Sequence, residues 1–78
     1  MEEKIPDRAK LGRILRRFRR RSGLSQEELG ERAGLHRTYV SQLELGTRNP
    51  TFETLTKFLA ACHRPWADLG RELSREGD

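Results

Sequence analysis

Apolar positions in this chain recur at helical spacing, and nowhere with the every-second-residue alternation of a strand. Leu11, Ile14, Leu15 and Phe18 stand at i, i+3, i+4 and i+7, the stripe of a helix that starts near Asp7 and stops near Ser22 with Gly23. Ser25 followed by Glu28 is a capping box, in which serine oxygen and glutamate side chain satisfy backbone N–H groups that a helix start leaves unpaired. A second helix therefore begins at Ser25, turns Leu29 and Ala33 inward, and ends at Gly34, where a left-handed backbone costs least. A third is predicted over about residues 36–45, stopped by Gly46, with Leu35 stapled onto Val40 and with Val40 and Leu43 on its inner face. After a loop at residues 47–50, Thr51 caps a fourth helix that carries Leu55, Phe58, Leu59 and Cys62. Pro65 suits the first turn of a fifth, on which Trp66, Leu69 and Leu73 share one side. Residues 1–6 and 74–78 are expected to be loose or frayed. The fold class expected is all-α, a compact five-helix bundle.

Composition narrows this further. A length of 78 residues fits one small domain, spanning the whole sequence, whose limited buried fraction makes self-association useful to its stability. The single cysteine forms no internal disulfide and fits a reducing cytoplasm. The longest apolar run, from Phe58 to Cys62, falls far short of the roughly 20 residues a membrane span needs, so no membrane partner is expected. There is no Gly-rich phosphate loop, no Cys/His cluster at metal-ligand spacing, and only two histidines, far apart in sequence. Neither catalysis, a cofactor nor a metal is expected.

Charge is distributed unevenly. The formal total is +4, but residues 1–24 hold nine basic and three acidic side chains, residues 25–49 three and four, and residues 50–78 four and five. The positive field thus belongs to the first helix, where Arg16-Arg17-Phe18-Arg19-Arg20-Arg21 reads as a strip for a polyanion or, taken alone, as an ordinary solvated face. The neighbouring helices tip the balance toward phosphate. The second and third form a helix-turn-helix, and the outer face of the third presents His36, Arg37, Thr38, Ser41 and Gln42, all hydrogen-bonding types. Arg37 has the planar fork that matches guanine O6 and N7, and Gln42 the amide that matches adenine N6 and N7.

The leading Arg19, then Gly23 to Leu29, Ala33 to Leu35 and Ser41 to Gly46 resemble the Cro and phage-repressor (xenobiotic-response-element type) helix-turn-helix family, over about residues 11–69. Residues 37–41 with Arg48 and Asn49 look particularly like the controller proteins of restriction-modification systems. The resemblance implies a lambda-repressor-like DNA-binding domain in which His36, Arg37, Thr38 and Gln42 touch base edges in the major groove. It places Gln26, Tyr39, Ser41 and Arg48 against the DNA backbone, with Gln26 at a helix start that favours phosphate. It further implies that Arg19 and Glu44 pair structurally, that Cys62 fills a core-leucine position, and that the dimer contact uses Trp66, Leu69 and Leu73. His36 replaces the usual Ser or Thr cap, so its imidazole is expected to be free to reach DNA. His63 and Arg64 replace the usual Gly and Val before the last helix. The function expected is a sequence-specific regulator of transcription that binds a palindromic operator in double-stranded DNA as a homodimer. The alternative is an antitoxin that also autoregulates its promoter; a third reading is a non-specific binder using the arginine strip. A toxin or polymerase partner stays open.

Overall fold

The computed structural model describes residues 7–75, which form five helices: α1 (Arg8–Arg21), α2 (Gln26–Ala33), α3 (Arg37–Leu45), α4 (Phe52–Ala61) and α5 (Trp66–Ser74). The expected loose ends at residues 1–6 and 76–78 lie outside the described residues, while Ser74 is helical and its Oγ donates to the Gly70 carbonyl. Among the described residues there is no strand, and no helix is long and apolar enough to cross a membrane.

Local chemistry accounts for the helix boundaries. The Asp7 carboxylate accepts from the Ala9 N–H at 2.9 Å to open α1. Both halves of the Ser25–Glu28 box are made, at 3.0 and 2.8 Å, and the bonds from Ser25 hold the Glu28 carboxyl below its ordinary pKa. Thr51 Oγ1 accepts from the Thr54 N–H at 3.0 Å to open α4. Pro65 stands one residue outside α5, at its N-cap, and supplies no side-chain cap. The first four helices all close with a left-handed residue: Gly23, Gly34, Gly46 and, in the fourth, His63 with φ of 58°. His63 therefore does a glycine's work. Its N–H donates to Ala60 O and the next N–H, that of Arg64, to Leu59 O, pairing carbonyls that the end of α4 would otherwise leave open. Arg64 then fixes the joint, with its guanidinium 4.8 Å from the centre of the Phe18 ring and 3.2 Å from the Asp68 carboxylate.

The core is a single cluster drawn from all five helices, built around Ile14, Leu15, Phe18, Leu29, Val40, Leu43, Phe58, Leu59 and Leu69. Cys62 is buried within it, and that burial pushes its thiol pKa up, so it is an apolar filler and a poor nucleophile. α1 packs on α3 and α5, and α2 packs on α3 and α4. The α1–α3 seam is closed by glycines from both sides: a Cβ on Gly12 would lie 2.4 Å from Glu44 O, and one on Gly46 would lie 2.9 Å from Ala9 Cα. This close approach sets where α3 sits.

Leu69 corrects an expectation. It is 2% exposed and belongs to the core, so it offers no surface to a second chain; Leu73 is half-buried and packs against the same cluster. The apolar side chain beside Trp66 at the surface is Phe52, which heads the α4 stripe three residues before Leu55 but lies outside the core. The two rings stack with centroids 5.1 Å apart, with Trp66 41% and Phe52 75% exposed.

Candidate nucleic-acid interface

The site is built outward from one buried ion pair. Arg19 on α1 donates through Nε to Glu44 Oε2 at 2.6 Å and through Nη2 to Glu44 Oε1 at 2.9 Å, while its Nη1 donates to the Leu24 carbonyl at 2.9 Å. Gln26 Nε2 at the start of α2 donates to the same Glu44 Oε1 at 3.0 Å. The Glu44 carboxylate near the end of α3 thus ties α1 to α2, and its partner Arg19 holds the turn between them. The Glu44 bond raises the Arg19 pKa, so the guanidinium stays charged. The Gln26 amide nitrogen is thus engaged inward, at the start of the helix whose backbone N–H groups and dipole favour a phosphate.

The arginine strip is likewise divided by the fold. Phe18 and Arg19 are buried, and Arg17 Nη2 donates to Glu72 Oε1 on α5 at 2.9 Å, which leaves Arg16, Arg20 and Arg21 as its exposed members. A helix cannot turn six consecutive residues to one side, so a basic run in sequence becomes separate patches in space.

On α3 the side chains take up distinct roles. His36 is the N-cap, and its Nδ1 accepts from the Thr38 N–H at 3.1 Å. The imidazole is therefore held rather than free, for a ring nitrogen can replace the missing hydroxyl of Ser or Thr. A neutral ring that accepts at Nδ1 carries its proton on Nε2, which makes His36 a donor to whatever lies beyond. Arg37 is exposed and reaches back to Glu27 on α2 at 4.0 Å, a loose surface pair that a stronger acceptor displaces. Thr38 is exposed and Ser41 half-buried.

Gln42, Tyr39 and Arg48 form a connected group. Arg48, in the loop after α3, donates through Nη1 to Gln42 Oε1 at 3.1 Å and lays its guanidinium 4.9 Å from the centre of the Tyr39 ring. The Tyr39 hydroxyl bonds Thr54 Oγ1 at 3.2 Å, and Thr54 Oγ1 in turn bonds Thr51 Oγ1 at 2.8 Å at the start of α4. His36, Thr38, Tyr39, Gln42 and Arg48 line one shallow, open depression. The fold brings together five of the eight residues expected to meet DNA, sets Arg37 beside them, and turns the Gln26 amide inward. Sequence reasoning misses the link between Arg48 and Gln42 because it assigns one to the loop and the other to the helix. Their six-residue spacing across Gly46 is the available signal.

Among the described residues no group of His, Cys, Asp and Glu is arranged to hold a metal. A family model described as helix-turn-helix (HTH_3) matches residues 15–69. The control protein C.SmaI of Serratia marcescens is 47% identical over 67 residues, which is 86% of this chain and 76% of that protein. An uncharacterised HTH-type transcriptional regulator, y4dJ, of Sinorhizobium fredii is 45% identical over 51 residues, and the match spans 65% of this chain and 66% of that protein. Among solved structures, the clp gene regulator ClgR of C. glutamicum superposes with a TM-score of 0.82 at 30% identity, with 95% of each chain covered. The restriction-modification controller protein C.AhdI of Aeromonas hydrophila superposes with a TM-score of 0.76 at 38% identity, covering 88% of this chain and 98% of that one.

Proposed function

The chain belongs to the HTH_3 helix-turn-helix family, of the Cro and phage-repressor type, and is a DNA-binding regulator rather than an enzyme; on that premise we propose that it binds a two-fold symmetric operator as a homodimer through α3. The observation that carries this reading is the outer face of α3, where donors and acceptors stand at the surface over a backbone fixed from below by the buried Arg19–Glu44 pair. Bases are read by side chains held in fixed positions, and this face supplies them. His36, Arg37, Thr38 and Gln42 are assigned to base edges, with Ser41 and the start of α2 at Gln26 facing the sugar-phosphate chain. The likeness to two control proteins favours control of a restriction-modification gene set over an antitoxin's role.

A homodimer follows from the scale of the module. One small domain with a single reading helix contacts too few base pairs to define a site, and a second copy doubles them. The exposed Phe52–Trp66 stack is the patch assigned to that contact, where two copies would bury the same rings against each other.

Selection of bound sites from random duplex DNA tests both parts. The expected result is a symmetric site with half-sites about 10 bp apart, occupied by two chains. Arg37→Ala should cost about 1–3 kcal/mol on that site and relax preference at one base in each half. Trp66→Asp should separate the dimer in sedimentation while leaving helicity intact, because the ring is already 41% exposed in the single chain. A selected site occupied by one chain would contradict the dimer. An Arg37→Ala protein with unchanged preferences would contradict the reading helix.

A further inference from the structure

We propose that Arg48 is a specificity-determining residue: by holding Gln42 Oε1 it turns the Gln42 amide into a donor, so that the pair reads guanine and not the adenine that glutamine alone would favour. The inference rests on the reading of the chain as a sequence-specific DNA-binding regulator and deepens it at one position of the site.

Donor and acceptor chemistry fixes how the two side chains meet. A guanidinium has donors only, so the atom of Gln42 that faces Arg48 Nη1 at 3.1 Å is the oxygen. The amide nitrogen, with its two N–H groups, is then the end left to face outward. Gln42 reading adenine needs both of its ends, Oε1 accepting from the adenine N6 amino group and Nε2 donating to N7. Here Oε1 keeps a second lone pair, but an adenine amino group that used it would be brought beside the donor-only Arg48 guanidinium, donor against donor. Guanine has no such conflict. Its major-groove edge carries two neighbouring acceptors, N7 and O6, which match the Gln42 amide nitrogen and the remaining N–H groups of Arg48.

The arrangement is also braced. The Arg48 guanidinium lies over the Tyr39 ring at 4.9 Å, and the Tyr39 hydroxyl is tied through Thr54 to the Thr51 cap of α4. An arginine in an exposed loop is ordinarily a freely moving charge near phosphate. This one is stacked on a half-buried ring and bonded to a side chain of the reading helix, so its position is coupled to α3.

The test compares the wild type with Gln42→Ala and Arg48→Met on duplexes carrying each of the four base pairs at every position of the selected site. Methionine keeps an apolar stem over Tyr39 and removes the donor. At the position where Gln42→Ala relaxes preference, the wild type should favour guanine, and Arg48→Met should reverse that preference toward adenine by roughly tenfold. The proposal is overturned if the wild type already favours adenine there. It is equally overturned if Arg48→Met weakens all duplexes alike with guanine preference intact, the behaviour of a phosphate contact. Selection that enriches no sequence at all removes the premise along with the proposal, and is distinct from either of those results.

Discussion

Replacing Glu44 with alanine is expected to lower stability by about 3–5 kcal/mol, out of a total that for a chain this size is roughly 4–12 kcal/mol. The reason lies in what stays behind. Arg19 is 8% exposed and always charged, so with its carboxylate gone it can neither reach water nor shed its proton. Its remaining bond, to the Leu24 carbonyl, is neutral and satisfies one nitrogen. The Gln26 amide loses its acceptor in the same step. Urea denaturation of the variant should show a large drop in midpoint with little change in slope, since the folded and unfolded surfaces are nearly the same. The double substitution Arg19→Met with Glu44→Leu should recover most of the loss, because no buried charge then needs a partner. A Glu44→Ala protein as stable as the wild type would mean that water reaches Arg19 freely.

The same pair shows what can be read from the sequence and what cannot. Its partners are 25 residues apart, and nothing in periodicity or spacing joins them; the family resemblance does. The helices are legible because each boundary has a local signal, namely the Asp7 and Thr51 caps, the Ser25–Glu28 box and the left-handed glycines. Contacts that close only in space are not legible. A helical stripe gives the side on which Trp66, Leu69 and Leu73 fall but not the depth of each, and depth separates the exposed ring from the core leucine. Phe52 escapes notice for a related reason: it stands three and seven residues before Leu55 and Leu59, in line with their stripe, and only the folded chain shows that this first residue of α4 lies beyond the core and against Trp66. His36 errs in the other direction. Its departure from a serine cap reads as a loss, although an unprotonated ring nitrogen accepts the same hydrogen bond.

Gly12 is silent in the sequence too, because a glycine inside a helical stripe reads as a mild weakness of the helix. The structure makes it the site of the second large effect. A Cβ at this position would lie 2.4 Å from the Glu44 carbonyl oxygen and 2.7 Å from that of Leu43, and both are backbone atoms that cannot swing aside. Gly12→Ala must therefore push α1 and the end of α3 apart, at a cost of about 3 kcal/mol despite alanine's better helix propensity. The displacement acts on the reading helix itself, so operator affinity should fall by more than the loss of folded protein explains. Gly70→Ala is the matched control: it lies inside α5, no heavy atom within 4 Å would meet its Cβ, and it should gain about 0.5–1 kcal/mol. Denaturation curves and DNA titrations of both variants, taken at a temperature where each is fully folded, decide the matter. If the two alanines behave alike, the spacing between α1 and α3 is not set at Gly12. If Gly12→Ala loses stability but binds DNA as the wild type does once folded, the seam supports the fold without placing α3 for reading.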